Sequence, residues 1–275
     1  MKKVITFMII AFIAFSSTVY AVDTAPSETE TVYVPEAKMN IDLPSGWILI
    51  TQNMDNNDPM FTELGMDYPA IQQYMIQNKT FLNAIDVENG CEILINVVET
   101  EDSIKAVDYR LMPESAEKQL LGAKDAVKNK LNDTLPETVT LNNAGFTEVA
   151  TTDQGKFFYL DRSINVSDEL VSNTYGAITI ADKKTIGINL FVYNQDISEE
   201  QKAQVQEIVK SIQFDQSVHD AYQIALNKPQ EKYSTYQRIC SLLVLAMILY
   251  IVIMLIIRHK RKKNHQSIES IKSQL

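Results

Sequence analysis

The sequence predicts an α+β fold with a largely antiparallel sheet and helices packed on it, followed by one C-terminal transmembrane helix. Three observations predict it. Strand-like runs follow one another through short turns, at Asn89-Gly90, Asp153-Gln154-Gly155 and Ala181-Asp182-Lys183-Lys184, which is hairpin chemistry. Three stretches, near 68–78, 113–132 and 198–212, carry apolar residues at helical spacing, enough to cover both faces of a sheet. Ile239 to Ile257 holds nineteen residues without a charge. As a helix it is about 28 Å long, sufficient for a bilayer core.

The chain opens Met1-Lys2-Lys3 and runs apolar from Val4 to Phe15, then Ser16-Ser17-Thr18 and Val19-Tyr20-Ala21. This is the charged start, short apolar core and small-residue site of a secretory signal peptide, assigned to residues 1–21. This twelve-residue run, apolar but for Thr6, reaches only about 18 Å, too short to span. Residues 22–30 (VDTAPSETE) are polar and are expected to be loose, with order beginning near Thr31.

Within the ordered part, Met39-Asn40-Ile41-Asp42-Leu43 alternates as a half-buried strand does. Pro44-Ser45-Gly46 is a turn, and Trp47 to Ile50 is read as the return strand. Residues 52–58 form a polar loop. Asp67 and Pro69 open a helix over 68–78, with Ile71, Tyr74 and Met75 on one face. Phe81 to Ile85 and Cys91 to Val98 flank Asn89-Gly90, and the second strand is apolar enough to be buried on both sides. One long helix is expected over 113–132, from the spacing of Ala116, Leu120, Ala123, Val127 and Leu131. Strands are expected near 137–141, 145–152, 156–163, 172–180 and 185–193. Ser198-Glu199-Glu200-Gln201 is a capping box. It opens a helix to about Ile212 with Val205, Ile208, Val209 and Ile212 as its buried stripe. Residues 215–238 read as a partly helical stalk interrupted at Pro229.

Beyond the 239–257 span lie Arg258, His259, Lys260, Arg261, Lys262 and Lys263. A basic cluster beside a span stays cytoplasmic, so residues 258–275 are assigned as an internal basic tail and the N-terminal domain as extracytoplasmic. Tyr233 and Tyr236 sit where amphipathic rings suit the headgroup layer. The expected location is the cell membrane, as a single-pass type I protein.

The exported segment carries 34 acidic and 17 basic side chains, a net charge of −17. Such a surface repels nucleic acid and anionic headgroups. It keeps a domain soluble and suits cationic partners. Cys91 is alone in this segment and Cys240 lies in the span, so no disulfide forms within the domain.

The chemistry-bearing residues are few. The exported segment has one histidine, His219, in the stalk region. No G-x-S-x-G, H-E-x-x-H or G-x-x-x-x-G-K-[ST] pattern occurs, and a His-rich zinc site is excluded by count. No catalytic, cofactor or metal residue is assigned, and the protein is expected not to be an enzyme. Glu199-Glu200 is explained by the first turn of its helix. Asp55-Asn56-Asn57-Asp58 is oxygen-rich but lacks the spacing and bidentate glutamate of a calcium loop. Trp47, the sole tryptophan, is the one binding candidate, as a partner-docking anchor; the plainer reading is an aromatic closing the core.

Three stretches together resemble a known family: Met39 to Trp47 (MNIDLPSGW), Phe157 to Ile188, and Ser198 to Phe214 (SEEQKAQVQEIVKSIQF). Residues 31–214 look like a single PsbP-like domain, similar to the photosystem PsbP proteins, the Ran-binding Mog proteins and the periplasmic DcrB proteins. The resemblance implies an α/β/α sandwich and a non-catalytic binding or accessory role. It supplies no catalytic set, and the metal-binding and photosystem-docking residues of PsbP have no match here. The expectation is therefore a membrane-tethered extracytoplasmic binding or accessory domain with an envelope or membrane protein as partner. The alternatives are a sensor or envelope-complex subunit acting through its span, and a hydrolase using carboxylates.

Overall fold

The computed structural model of the chain describes residues 28–55, 57–63, 67–133, 138–166 and 169–227. The segments expected to be a signal peptide (1–21), a membrane span (239–257) and a basic tail (258–275) lie outside them. Among the described residues no helix is long and apolar enough to cross a membrane.

Among the described residues ten strands form two antiparallel sheets. The first is small: β1 (Thr29–Val34), β2 (Met39–Pro44) and β10 (Gln213–Phe214), in the order β1-β2-β10. The second has seven strands, in the order β3-β4-β5-β9-β8-β7-β6. These are β3 (Ile48–Thr51), β4 (Thr80–Asp86), β5 (Cys91–Glu99), β6 (Val139–Thr151), β7 (Lys156–Val166), β8 (Glu169–Ala181) and β9 (Lys184–Tyr193). The helices are α1 (Pro59–Glu63), α2 (Tyr68–Gln77), α3 (Glu101–Ala106), α4 (Glu114–Gly122), α5 (Lys124–Asn132), α6 (Glu199–Ser211) and α7 (Gln216–Leu226), with a 3-10 turn at Tyr109–Leu111.

One face of the large sheet meets the small sheet and α6. Met39, Ile41 and Leu43, the inward half of β2, join Ile93, Ile95, Ile186 and Ile188 in this core. The stripe Val205, Ile208, Val209 and Ile212 is buried against them as its spacing predicts, each side chain contributing about 2 kcal/mol of transfer free energy. Ser198 accepts from the Gln201 N–H, and the Gln201 side chain accepts from the Ser198 N–H, so the capping box forms. The opposite face carries two separate apolar clusters. One, with Tyr109, Phe146, Phe158, Leu160 and Ile178, lies over β6–β8. The other, with Ile50, Phe61, Tyr68, Ile71 and Met75, lies over β3–β4. Helices thus stand on both faces of an antiparallel sheet.

Several expectations are corrected. Trp47–Ile50 is not the return partner of Met39–Leu43. The 48–51 strand pairs with β4 in the large sheet, while β2 pairs with β1 and β10. Gly46, at φ +84°, lets the chain pass between sheets; turn chemistry fixes the bend but not the partner. The strand β1 starts at Thr29, inside the segment expected to be loose, because Thr29 and Glu30 pair with Pro44 and Leu43. Polarity does not report such non-local pairing. The single helix over 113–132 is two helices, separated at Ala123. Gly145 of β6 has no Cβ, and one placed there would lie 3.0 Å from the Lys124 Cα, so the second helix begins pressed onto the strand. The strands near 137–141 and 145–152 are one bulged strand, β6. The stalk region holds α7, which docks on the domain with Val218 buried. The short helices α1 and α3 are additional; α3 has its own capping box from Thr100 and Ser103.

Candidate functional site

On the second face of the large sheet, cross-strand register aligns one row of positions: Ala144 of β6, Arg162 of β7, Thr174 of β8, Phe191 of β9 and Glu92 of β5. The next row holds Leu160, Gly176, Asn189, Leu94 and Asn83. Strand alternation puts both rows on the same side. Their middle belongs to neither apolar cluster of that face. It is polar and nevertheless buried: Arg162 is 3% exposed, Thr174 0%, Asn189 3% and Asn83 1%.

Polar groups removed from water are normally paired. Here several are not. Arg162 Nε, Thr174 Oγ1, Asn189 Oδ1 and Asn83 Oδ1 have no hydrogen-bond partner among the described residues. Burial pulls the Arg162 guanidinium down to about 10, with the Asp161 charge opposing that shift. Asp161 is the adjacent residue on the same strand, so its side chain belongs to the other face. Glu92 shares the row of Arg162 but is three strands away, and it is occupied: its carboxylate accepts from the Tyr193 hydroxyl at 2.5 Å and the Asn83 amide at 2.9 Å.

Glycine shapes the middle of this patch. A Cβ on Gly176 would stand 2.8 Å from Asn189 Oδ1 and 2.4 Å from the Ile188 carbonyl oxygen. The Asn189 amide therefore reaches towards β8, into the space a side chain at 176 would occupy. Its orientation is fixed from the far side. Asn96 Nδ2 donates to the Asn78 carbonyl at 3.2 Å and to Thr80 Oγ1 at 2.9 Å. That leaves Asn96 Oδ1 to accept from Asn189 Nδ2 at 3.4 Å. The Asn189 carbonyl oxygen is the end left open.

The residues singled out in the sequence lie elsewhere. Trp47 is half-buried and packs against the first core. Cys91 is 1% exposed in that core, and burial pushes its thiol up to about 12. Asp55 and Asp58 accept from the Asn57 and Met60 N–H groups at 2.9 Å and so hold their own loop. Glu199 pairs with Lys202 in the first turn of α6. No group of three or more His, Cys, Asp and Glu side chains converges for a metal among the described residues. His219 touches Arg110 and Gln154 on the outside of the domain. A cleft of about 170 Å³ opens where β1 approaches β3 and β4, lined by Tyr33, Pro35, Glu36, Gln52 and Phe81. The Arg162 row was missed in the sequence. Its signal was polar residues at strand positions where the neighbouring spacing demands burial: Arg162 between Leu160 and Ile164, and Asn189 inside Ile186–Val192.

No protein-family profile and no curated protein matches the chain. Among solved structures it is similar to the cyanobacterial PsbP (CyanoP) from Synechocystis, at 12% identity, over 72% of this chain and 98% of that one, with a TM-score of 0.42. The likeness is distant and is one of fold.

Proposed function

We propose that the protein is a membrane-tethered, extracytoplasmic, non-catalytic binding domain, and that the polar patch around Arg162 is its ligand seat. The carrying observation is the set of buried polar atoms without partners in the middle of this sheet face, at Arg162, Thr174, Asn189 and Asn83. Leaving such groups unpaired costs about 1–3 kcal/mol each, so a molecule that pairs them is stabilised in turn. The seat holds a guanidinium, a hydroxyl and amides, groups that recognise rather than react. The acidic surface and the two membrane signals support the tether and the external address.

The test is a thermal-shift screen of the full-length chain in detergent against chemically varied small polar compounds. A stabiliser whose effect is lost in Thr174→Val supports the reading. A screen in which nothing stabilises the protein sinks it. Topology is checked alongside: protease added to intact cells should remove the 28–227 domain and spare a tag after Leu275.

A second reading, a sensor or complex subunit acting through its span, draws on α7. That helix is clamped to the domain by Arg110 and Tyr222 and leads towards the 239–257 segment. Replacing 239–257 by an unrelated apolar span should abolish function under this reading and leave it intact under the first.

A further inference from the structure

The open atoms of the Arg162 patch differ in kind, and that difference selects a ligand. Arg162 is a donor with a full positive charge and no carboxylate partner among the described residues. A buried cation is costly until an anion meets it. Asn189 Oδ1 and Asn83 Oδ1 are acceptors and need donors. Thr174, directly across from Arg162 in the strand register, carries a hydroxyl that does either. The acceptor at 189 stands over Gly176 of β8, the strand that also carries Thr174. A simple anion satisfies only the first set, and a neutral alcohol or amine only the second.

We infer that the seat takes a small carboxylate bearing an amino or hydroxyl group close to it. The carboxylate lies against the Arg162 guanidinium, whose planar fork matches it, with the Thr174 hydroxyl donating to the same group. The neighbouring N–H or O–H of the ligand donates to Asn189 Oδ1. The apolar neighbours Leu94 and Phe191, 5% and 9% exposed, limit the ligand's size to a few heavy atoms beyond the carboxylate. This inference rests on the ligand-seat reading above and narrows it to one chemical class.

The experiment uses the full-length chain in detergent. It measures calorimetric binding of serine, alanine, lactate and malate, and of alaninamide and lactamide, the matching amides that lack the carboxylate charge. In parallel, the purified protein is denatured and the small molecules released are identified by mass spectrometry. The acids are expected to bind, the amides to bind roughly tenfold or more weaker, and Arg162→Met to erase that difference. Arg162→Lys keeps a charge but loses the fork, and Thr174→Val removes a hydroxyl without changing volume, so a folding failure at one position leaves the other informative. Amides binding as tightly as acids, or a stoichiometric neutral molecule released on denaturation, overturns the carboxylate and leaves the ligand seat standing. No binding in either series and no released molecule means that water alone fills the patch, and overturns both.

Discussion

The Arg110 guanidinium and the His219 imidazole meet at 3.2 Å, across 109 residues of sequence. Arg110 Nη1 can only donate, so His219 Nδ1 accepts and the ring proton sits on Nε2, facing Gln154 Oε1 at 3.1 Å. Arg110 is held in turn by Asp108, at 2.6 Å from Nη2, and lies 4.0 Å from the centroid of the Tyr222 ring. Two residues of α7 thus dock on one arginine of the domain body.

This clamp predicts an asymmetry between its two ends. His219→Ala removes a hydrogen-bonded ring at a half-buried site and should cost about 1 kcal/mol. Arg110→Ala strips the counter-ion from Asp108, whose side chain is 2% exposed, and should cost about 3 kcal/mol. In hydrogen exchange, His219→Ala should lose protection over 216–226 alone. Equal, global loss in both variants would show that α7 is integral to the core rather than clamped onto it.

Where function depended on close approach, one glycine should matter more than its neighbour. At Gly176 a new Cβ meets the Ile188 carbonyl, which is backbone and cannot turn aside. Gly176→Ala should therefore destabilise by about 3 kcal/mol. Gly187→Ala meets only the end of the Asn189 side chain, at 3.0 Å. It should cost about 1 kcal/mol and act mainly by turning the Asn189 amide. Urea denaturation of both variants separates them, and equal costs would contradict the close approach at 176.

The capping box is a case where sequence and structure agree to the atom. Ser198→Ala leaves the Gln201 N–H without its acceptor and should lower stability by about 1 kcal/mol. Glycine at the same position should cost only a few tenths. An alanine variant as stable as the parent in urea would mean that the Val205–Ile212 stripe alone holds α6.

Local rules were legible because they act over a few residues. The cap at Ser198, the α2 face of Ile71 and Met75, and the hairpins at Asn89-Gly90 and Asp182-Lys183 all follow from neighbours in the chain. What escaped was set by distant partners. Nothing near Met39 says that β2 pairs with β1 and β10 rather than with the strand after Gly46. Nothing near Ala123 says that Gly145 will press on Lys124 and end the helix. The candidate site escaped for the same reason. Arg162, Thr174 and Asn189 stand on three strands, and only their register makes them neighbours.

The first core also predicts an alkaline limit to stability. Burial raises the Cys91 thiol from 9.0 to about 12. Burial likewise raises the Tyr175 hydroxyl from 10.0 to about 12, despite an opposing hydrogen bond from Gln206. Burial lifts Tyr159 as well. In each case the folded state holds a proton that the unfolded chain releases at lower pH. Their contribution is therefore complete below the unfolded values, and it declines as pH rises from there through the folded values. The urea midpoint should be flat up to about pH 8.5 and fall steadily beyond about pH 9, since the unfolded thiol titrates first. Cys91→Ala should shift the onset upward, towards the tyrosine range, and Tyr175→Phe should shallow the slope above it. A thiol reagent should leave Cys91 unlabelled in a folded Cys240→Ser variant, because the reactive thiolate is suppressed. A midpoint insensitive to pH across this range, or rapid labelling of Cys91, would show that the core around β5 opens to solvent in the native state.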